Sequence, residues 1–386
     1  MAGRIALFRT TPRIVMGRGA VASIGQEVRA VGGSHVLVVT DAGILRSGLM
    51  KPVEESFKEA GLTYNIFSEV SPDPPYEIVN ACLTHLGQEK PDCVIGMGGG
   101  SPIDIAKCVA IMLTNPGTIY DYLGVDLVQK PGVPTIMIPT TAGTGSEATP
   151  IAILSDEGEK LKKGVVSQYL FPRTALLDPE LTLGLPPRIT AATGMDALIH
   201  AIEAYTSRNA TSLTDLLARQ AIQLISKNIR TAFANGLDIE ARSKMLEGSL
   251  LAGIAFANAG VTAVHAFAYP IGAEFHIPHG IANTIMLAPV MEFNMLGNLT
   301  KFAEMAELLG ENVFGLSERH GAQAAVESIR VLAEDLQVPR RLSEYGVQDH
   351  HITGLAEGVM KVTRLLANNP RELRLGDAEA IYRSVL

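Results

Sequence analysis

The chain has 386 residues, of which 47% are hydrophobic and 19% charged, a composition that excludes a disordered protein and allows two separate hydrophobic cores. Its 32 basic and 40 acidic residues give a net charge of -8, and no stretch concentrates Lys and Arg, so we expect no nucleic-acid partner. The three cysteines form no C-x-x-C pair, and the N-terminus shows neither a signal-peptide pattern nor a membrane-spanning apolar run, so we expect a cytoplasmic protein without membrane insertion.

In the first half of the chain, short β-branched runs alternate with helical stretches as far as about residue 185. This pattern predicts strands at residues 36–40, 93–96 and 135–138 and helices near residues 47–60 and 102–113. Such alternation is typical of a parallel α/β sheet.

From about residue 187 onward the strand signals stop, and apolar residues recur with the helical period. Helices are predicted at residues 213–227, 240–258, 281–293, 318–336 and 351–364. A glycine and paired prolines at residues 183–188 mark a hinge between the halves. We therefore expect an α/β domain over residues 1–186, an all-helical domain over residues 187–386, and a ligand site in the cleft between them.

A glycine-rich segment, Gly98-Gly-Gly-Ser-Pro-Ile-Asp104, directly follows the second predicted strand and opens a helix. Glycines allow close backbone approach, and the N-terminus of a helix offers free N–H groups to an anion. Pro102 suits the first turn of that helix, and the Ser101 hydroxyl is an additional donor. The segment is therefore interpreted as a diphosphate site, with an ordinary strand-to-helix turn as the alternative.

A second loop, Pro139-Thr-Thr-Ala-Gly-Thr-Gly-Ser-Glu147, follows the next strand and is rich in hydroxyls. These hydroxyls suit phosphate or ribose oxygens, although turn and capping roles explain them equally well. Asp41 ends the strand at residues 36–40, where a carboxylate accepts bonds from ribose hydroxyls and repels the 2′-phosphate of NADP. It favours NAD over NADP, but no G-x-G-x-x-G precedes it, so a plain capping role stays open.

Four residues in the second half are candidate metal ligands. Asp196 and His200 stand four residues apart on a predicted helix, which places both side chains on one face. His265 lies in a helical stretch of small residues, and His279 follows a proline at the start of another helix. One carboxylate and three imidazoles leave a divalent ion with positive charge and an open coordination position. Spacing alone does not show that the four converge, since the sequence holds other histidines.

The two loops, together with Gly194-Met-Asp-Ala-Leu-Ile-His-Ala-Ile-Glu203 and Pro278-His-Gly-Ile-Ala-Asn283, closely resemble the iron-containing (group III) alcohol dehydrogenases. The resemblance runs from about Pro12 to the C-terminus. It implies a Rossmann-like dinucleotide-binding domain followed by a helical domain, with Fe(II), or Zn or another divalent metal, held in the interdomain cleft. It also implies a homodimer or a larger homo-oligomer.

The same resemblance assigns roles to individual positions. Asp196, His200, His265 and His279 occupy the metal-ligand positions of the family. The residues placed around NAD are Asp41, Gly98, Gly99, Ser101, Asp104, Thr140, Thr141, Thr144 and Lys162. In one respect the chain departs from the family, because Tyr269 stands where many members carry a histidine that relays protons. Tyr269 or His276 is expected to take over that relay.

We therefore expect an enzyme that interconverts a small primary alcohol and its aldehyde by hydride transfer with NAD, the metal acting as a Lewis acid. The substrate itself is left open among simple alcohols, diols, hydroxy acids and sulfonated aldehydes. The nearest alternatives are a polyol dehydrogenase and a dehydroquinate-synthase-like lyase that regenerates its NAD. More remote ones are a metal-dependent hydrolase and a dinucleotide-binding module without catalysis.

Overall fold

The computed structural model describes residues 5–156, 158 and 161–386. They form two compact units, Thr10–Leu185 and Pro186–Leu386, the second of which also includes residues 5–9. We call these the sheet unit and the helical unit. The backbone of Arg9 exchanges two hydrogen bonds with the side chain of Asn258, which attaches the N-terminal residues to the helical unit. The assignment of separate functions to domains 1–186 and 187–386 stays a prediction.

Nine strands are described in the sheet unit. They are β1 (Arg13–Met16), β2 (His35–Val39), β3 (Thr63–Phe67), β4 (Cys93–Gly98), β5 (Gly124–Val125), β6 (Thr135–Pro139), β7 (Ile151–Asp156), β8 (Leu161–Val166) and β9 (Thr174–Leu177). Six of them form a parallel sheet in the order β1-β9-β6-β4-β2-β3. The other three form a small sheet, ordered β5-β8-β7, in which β7 and β8 run antiparallel.

The central strands are buried on both faces, because helices cover each side of the sheet. The helices of this unit are α1 (Ile24–Ala30), α2 (Ala42–Ser47), α3 (Lys51–Ala60), α4 (Glu77–Leu86) and α5 (Gly100–Met112). Along β2, Leu37 and Val39 join one apolar core with α4 and α5. Val36 and Val38 join a second core with α1 and α3. Because successive side chains of a strand point to opposite faces, β2 contributes residues to the core on each side of the sheet.

The predicted parallel α/β class is confirmed, and the three predicted strands correspond to β2, β4 and β6. The helix predicted near residues 47–60 corresponds to α3, which begins at Lys51. A separate short helix, α2, precedes it and ends at Ser47, because Gly48 adopts a left-handed conformation (φ 76°).

The described part of the second half contains helices and short 3₁₀ turns but no strand, as predicted. The helices are α6 (Pro187–Thr206), α7 (Ser212–Ala234), α8 (Ile239–Ala259), α9 (Ala263–Phe275), α10 (His279–Asn294), α11 (Leu299–Leu309), α12 (Glu318–Asp335), α13 (Ile352–Lys361), α14 (Thr363–Leu366) and α15 (Leu375–Arg383). The last stretch predicted as one helix, at residues 351–364, is divided between α13 and α14.

Helix α6 is buried over most of its length because it packs against α7, α8 and α10. The contact with α10 depends on Gly280. A Cβ atom at that position would lie 2.2 Å from the carbonyl oxygen of Ala192 on α6, which is closer than any side chain tolerates. Glycine therefore lets the first turn of α10 touch the backbone of α6 directly.

In the part of the chain that the structure describes, no single helix has the length and apolar composition needed to cross a bilayer. Helices α8 and α9 meet that requirement only as a pair, and they are bent by 102° relative to each other.

Candidate active site

The four predicted metal ligands come together in the helical unit. Asp196 and His200 project from the middle of α6, His265 from the first turn of α9, and His279 is the first residue of α10. Ligand atoms of Asp196, His265 and His279 all lie within 4.8 Å of one another. His200 completes the group, with its Nε2 3.1 Å from Nε2 of His265. Their role as metal ligands stays a prediction.

The cluster is deeply buried except at one edge. Asp196 and His265 are 3% and 2% exposed, whereas the side chain of His279 is 30% exposed. Phe256 stacks on the ring of His200 with 4.3 Å between centroids and closes another side. Among the four ligand side chains, that of His279 is therefore the most exposed to solvent.

The distances within the cluster suit one small cation. Oδ1 of Asp196 lies 3.9 Å from Nε2 of both His265 and His279, and the two facing Nε2 atoms of His200 and His265 are 3.1 Å apart. Ligand atoms about 2.1 Å from one ion are separated from each other by roughly 3.0–3.5 Å. The residues present therefore fit a bound divalent ion after only small side-chain movements.

Glu203, one turn beyond His200 on α6, determines which ring nitrogen of His265 carries a proton. Its carboxylate contacts Nδ1 of His265, and since an ionised carboxylate only accepts, Nδ1 of His265 carries the proton. In the neutral ring, Nε2 of His265 is then the atom that bears the lone pair, and it faces His200 and Asp196. Metal-binding histidines in proteins are commonly oriented in this way.

The same carboxylate also holds the start of α9. Oε1 of Glu203 accepts bonds from the backbone N–H groups of Thr262 and Val264, at 2.9 Å each, and from the Thr262 hydroxyl at 2.7 Å. A carboxylate at a helix N-terminus satisfies donors that the helix itself cannot. Glu203 therefore sets both the position of α9 and the orientation of the imidazole it carries.

Both carboxyl groups remain ionised despite their burial. Burial acts to raise the pKa of Asp196, but the imidazoles of His200, His279 and His265 outweigh it, and the pKa falls below its usual value. For Glu203, burial is likewise outweighed by His265 and by hydrogen bonds from Thr262, so its pKa is also lowered.

Asn283 is a further member of the cluster that the sequence did not identify. Its Nδ2 lies 2.8 Å from Oδ1 of Asp196 and 3.2 Å from Nε2 of both His265 and His279. Its Oδ1 is buried and has no hydrogen-bond partner among the described residues. The amide that contacts three of the ligands therefore also carries a buried acceptor that the described residues do not satisfy, as expected beside a site for an ion or a water. The sequence did contain an indication of this contact, because Asn283 stands one helical turn after His279 on the same helix.

The two proton-relay candidates occupy different surroundings. The ring of Tyr269 lies beside the cluster, with its centroid 6.1 Å from that of His279 and 6.5 Å from that of His265. Burial raises the pKa of Tyr269 to about 12, so its phenol is protonated at neutral pH. His276 is exposed and ends α9 in a left-handed conformation (φ 52°).

In the sheet unit, most of the predicted dinucleotide residues stand at the carboxyl ends of β2, β4 and β6, which are neighbours in the sheet. In parallel sheets ligands bind outside this edge. Asp41 accepts bonds from the backbone N–H groups of Gly43 and Ile44 and so caps α2. Its other oxygen faces Gly98, at 3.3 Å from where a Cβ atom would stand.

The two glycine-rich loops are also in contact with each other. A Cβ atom at Gly99 would lie 3.7 Å from the side chain of Thr141, and one at Gly100 would lie 2.7 Å from that of Thr144. The helix α5 begins at Gly100, two residues before Pro102, where the sequence predicted its start. Ser101 therefore lies in the first turn of α5. The backbone of Thr140 bonds the carbonyl of Gly98.

Asp104 and Lys162 are engaged with protein groups. Oδ1 and Oδ2 of Asp104 accept bonds from the Ser146 hydroxyl and the Ile153 backbone. Lys162, on β8, pairs with Asp73 at 2.5 Å. Contact of either residue with a dinucleotide stays a prediction.

Two family models together match nearly the whole chain. Residues 11–179 match the family model described as iron-containing alcohol dehydrogenase. Residues 190–386 match the model described as Fe-containing alcohol dehydrogenase family, C-terminal.

Individual proteins are similar over the same length. The long-chain-alcohol dehydrogenase 1 of Geobacillus thermodenitrificans is 41% identical over 96% of this chain and 94% of its own. The NAD-dependent methanol dehydrogenase of Bacillus methanolicus is 39% identical over 98% of this chain and 99% of its own. A solved structure described as 1,3-propanediol oxidoreductase superposes with a TM-score of 0.97, at 37% identity over 99% of this chain and 100% of that one.

Proposed function

Because the chain belongs to the iron-containing alcohol dehydrogenase family, we propose that it interconverts a small primary alcohol and its aldehyde by hydride transfer with NAD. The resemblance read from the sequence motifs is confirmed, and with it the class of enzyme, an NAD-linked alcohol dehydrogenase or aldehyde reductase. The observation that carries the proposal is the convergence of one carboxylate and three imidazoles, with ligand atoms of Asp196, His265 and His279 within 4.8 Å of one another and Nε2 of His200 3.1 Å from Nε2 of His265.

Asp196, His200, His265 and His279 would hold the metal, for which Fe(II) is the first candidate, with Zn(II) or another divalent ion as alternatives. When bound, such an ion supplies Lewis-acid stabilisation of negative charge on the substrate oxygen. Three of the four ligands are buried away from bulk water, and the substrate would enter at the more exposed His279. A placement of this centre in a cleft between the two units stays a prediction.

We assign NAD to the carboxyl edge of the parallel sheet. The first turn of α5 offers N–H groups of Gly100 and Ser101 to the diphosphate, and the hydroxyls of the threonine loop lie beside them. Asp41 would accept bonds from the ribose hydroxyls, which favours NAD over NADP. The name of the Bacillus methanolicus relative, which includes NAD, agrees with this choice.

For proton transfer to solvent, Tyr269 is the better supported of the two candidates. Its ring lies against the imidazoles of His265 and His279, whereas His276 stands exposed at the end of its helix. A phenol that stays protonated at neutral pH passes a proton by donating its own and accepting another. We also propose a homo-oligomer in the cytoplasm, for which light scattering and cell fractionation are the measurements.

The first experiment removes and restores the metal. The purified enzyme is treated with a chelator, loaded anaerobically with Fe(II) or with Zn(II), and assayed by NADH absorbance with a panel of alcohols and aldehydes. We expect turnover to vanish with the metal and to return with at least one ion. Binding of NAD without any change of the nicotinamide, for every alcohol and aldehyde and either ion, would refute the dehydrogenase proposal in favour of a lyase.

A pair of histidine variants separates the centre from the rest of the protein. We expect His200→Ala to lose bound metal and turnover together, because one of four ligands is removed. His320→Ala is the matched control, since His320 is an exposed residue at the start of α12. Metal content by elemental analysis and kcat are measured for both. Equal metal content in the two variants would contradict the assignment of His200.

A further inference from the structure

A lysine lies fully buried in the sheet unit, outside the metal centre. Lys107, on α5, is 1% exposed, and its Nζ donates to Oγ of Ser146 at 2.7 Å, to Oγ1 of Thr149 at 3.2 Å and to the carbonyl of Ile151 at 2.9 Å. An ammonium group has three hydrogens, so all of them are used. Lysine is almost never buried without such partners.

Asp104 stands one turn earlier on the same helix and completes the network. Its Oδ1 accepts from the Ser146 hydroxyl at 2.5 Å and lies 3.8 Å from Nζ of Lys107. Its Oδ2 accepts from the backbone N–H of Ile153 at 2.9 Å. Both oxygens of Asp104 therefore accept hydrogen bonds from residues that follow β6 in the chain. The Ser146 hydroxyl connects the Asp104 carboxylate to the Lys107 ammonium group, because it donates to the first and accepts from the second.

The partners of Lys107 and Asp104 all belong to one stretch of chain, the loop from Thr140 to Thr149 and the start of β7. At its beginning the loop is attached to β4, because Thr140 N donates to the carbonyl of Gly98. At its end Ser146 and Thr149 are attached to α5 through Lys107. Within the loop, Ser146 N donates to the Thr144 hydroxyl oxygen, which couples the anchored end to the middle.

The segment between these two anchors faces the first turn of α5. It contains Thr141 and Thr144, whose side chains lie against Gly99 and Gly100. The spacing between the loop and the helix N-terminus therefore depends on how firmly the far end of the loop is held. A charged, fully hydrogen-bonded anchor holds a loop more rigidly than apolar packing, because each partner must keep its place to stay satisfied.

We infer that Lys107 and Asp104 are positioning residues, which hold the threonine loop against the first turn of α5 so that a dinucleotide diphosphate finds its donors already in place. The inference rests on the proposed function, since it deepens the assignment of NAD to this edge. A site whose loop is ordered in advance loses less entropy on binding, so the anchor raises the affinity for the dinucleotide. It also assigns Asp104 an indirect role instead of a direct contact with NAD.

The alternative is a buried charge pair that stabilises the fold and does nothing for the ligand. The stabilising role and the positioning role predict different NAD affinities for variants that remain folded. If the pair only stabilises, its removal lowers the melting temperature and leaves the affinity for NAD unchanged. If it positions the loop, the affinity falls even in variants that remain folded at the assay temperature.

The test uses the full-length enzyme and NAD⁺ itself as the probe. Ser146→Ala removes only the bridging hydroxyl, and Lys107→Met removes the three donors while keeping the length of the side chain. Val109→Ala is the matched control, because Val109 is a buried residue about 200° further round the same helix and its loss destabilises by cavity formation alone. Melting temperature, the Kd of NAD⁺ by calorimetry, and kcat with KM for NAD⁺ are measured for each.

We expect both network variants to bind NAD⁺ about tenfold or more weakly, which corresponds to about 1.4 kcal/mol, with KM for NAD⁺ raised and kcat at saturation preserved. Val109→Ala should melt earlier and bind NAD⁺ as the unaltered enzyme does. Unchanged Kd in folded Ser146→Ala would overturn the inference, even if Lys107→Met fails to fold. If the unaltered enzyme binds no NAD⁺, the proposed function fails instead, so the two failures are distinguishable.

Discussion

The two units build their candidate sites in opposite ways. In the sheet unit, the proposed dinucleotide site consists of backbone groups, glycines and hydroxyls from short contiguous segments, aligned by adjacent parallel strands. In the helical unit, the metal centre consists of charged and aromatic side chains from α6, α9 and α10, which are distant in sequence. The first kind of site depends on local backbone geometry, and the second depends on how helices pack.

Both units also bury charged groups, with a different outcome. Around Lys107 and Asp104, all three ammonium hydrogens and both carboxylate oxygens find protein partners, although Oε1 of the neighbouring buried Glu147 has none among the described residues. Around Asp196 and His265, lone pairs converge, and the neighbouring Asn283 keeps an oxygen without a partner among the described residues. A pair of opposite charges that satisfy each other's hydrogen-bonding groups serves the fold or a loop, whereas converging acceptor atoms suit a cation. Buried charge alone therefore does not identify a metal site.

The largest effect is expected from Glu203→Gln in the helical unit. The amide keeps an oxygen for the N–H groups of Thr262 and Val264 but turns its NH₂ group toward Nδ1 of His265. Nδ1 must then accept, which puts the proton on Nε2, the atom that faces the other ligands. We expect metal affinity to fall about 10- to 100-fold, measured by competition with a chelator of known affinity.

A control for Glu203→Gln is Asp178→Asn in the sheet unit. Asp178 is also a fully buried carboxylate that accepts from the backbone N–H groups of Gly19, Val21 and Glu180, but it pairs with no imidazole in the described part of the chain. It should lose stability and keep its metal affinity. Equal metal affinities in the two variants would show that Glu203 does not act through His265.

A smaller effect is expected from Gly100→Val, which breaks the sheet-unit site. The new side chain would meet Cγ2 of Thr144 at less than a van der Waals distance and push the threonine loop off the first turn of α5. We expect NAD⁺ to bind about tenfold more weakly, with metal content unchanged. Gly184→Val serves as the control, because a Cβ atom at Gly184 meets nothing within 4 Å. Loss of metal together with NAD⁺ affinity would contradict the independence of the two sites.

The smallest effect, expected from Tyr269→Phe, sharpens the comparison within the helical unit. Because burial raises the pKa of Tyr269 to about 12, the phenol stays protonated below that pH and does not itself produce a titration near neutrality. We expect kcat to fall by less than about tenfold, with no shift in the pH dependence of kcat between about pH 6 and 9. A larger loss of kcat in His276→Ala than in Tyr269→Phe would show that His276, and not Tyr269, relays the proton.

Much of the architecture could be predicted from patterns, and the failures have physical causes. The buried strands β2, β4 and β6 are continuous β-branched runs and were identified. Strand β1 was missed because it is an edge strand of only four residues, and its single apolar run, Ile14-Val15-Met16, is too short to define a strand without the neighbouring β9. The antiparallel pair β7 and β8 was missed because β8 carries Lys162 and Lys163, whose side chains pair with Asp73 and Asp156. Tertiary ion pairs are invisible to a pattern based on hydrophobicity.

The sequence by itself determined the class of fold and, through the resemblance of its short motifs to one family, the two glycine-rich loops and the four candidate ligands, because such motifs identify a family even where spacing does not show which side chains meet. Only the tertiary structure decided the rest. It brought Glu203 to the start of α9 and Asn283 among three ligands, and it turned Asp104 toward Ser146 and Lys107. The physical reason is that hydrogen-bond partners are selected by the packing of elements far apart in the chain, as Gly280 against Ala192 illustrates, and no local period records that choice.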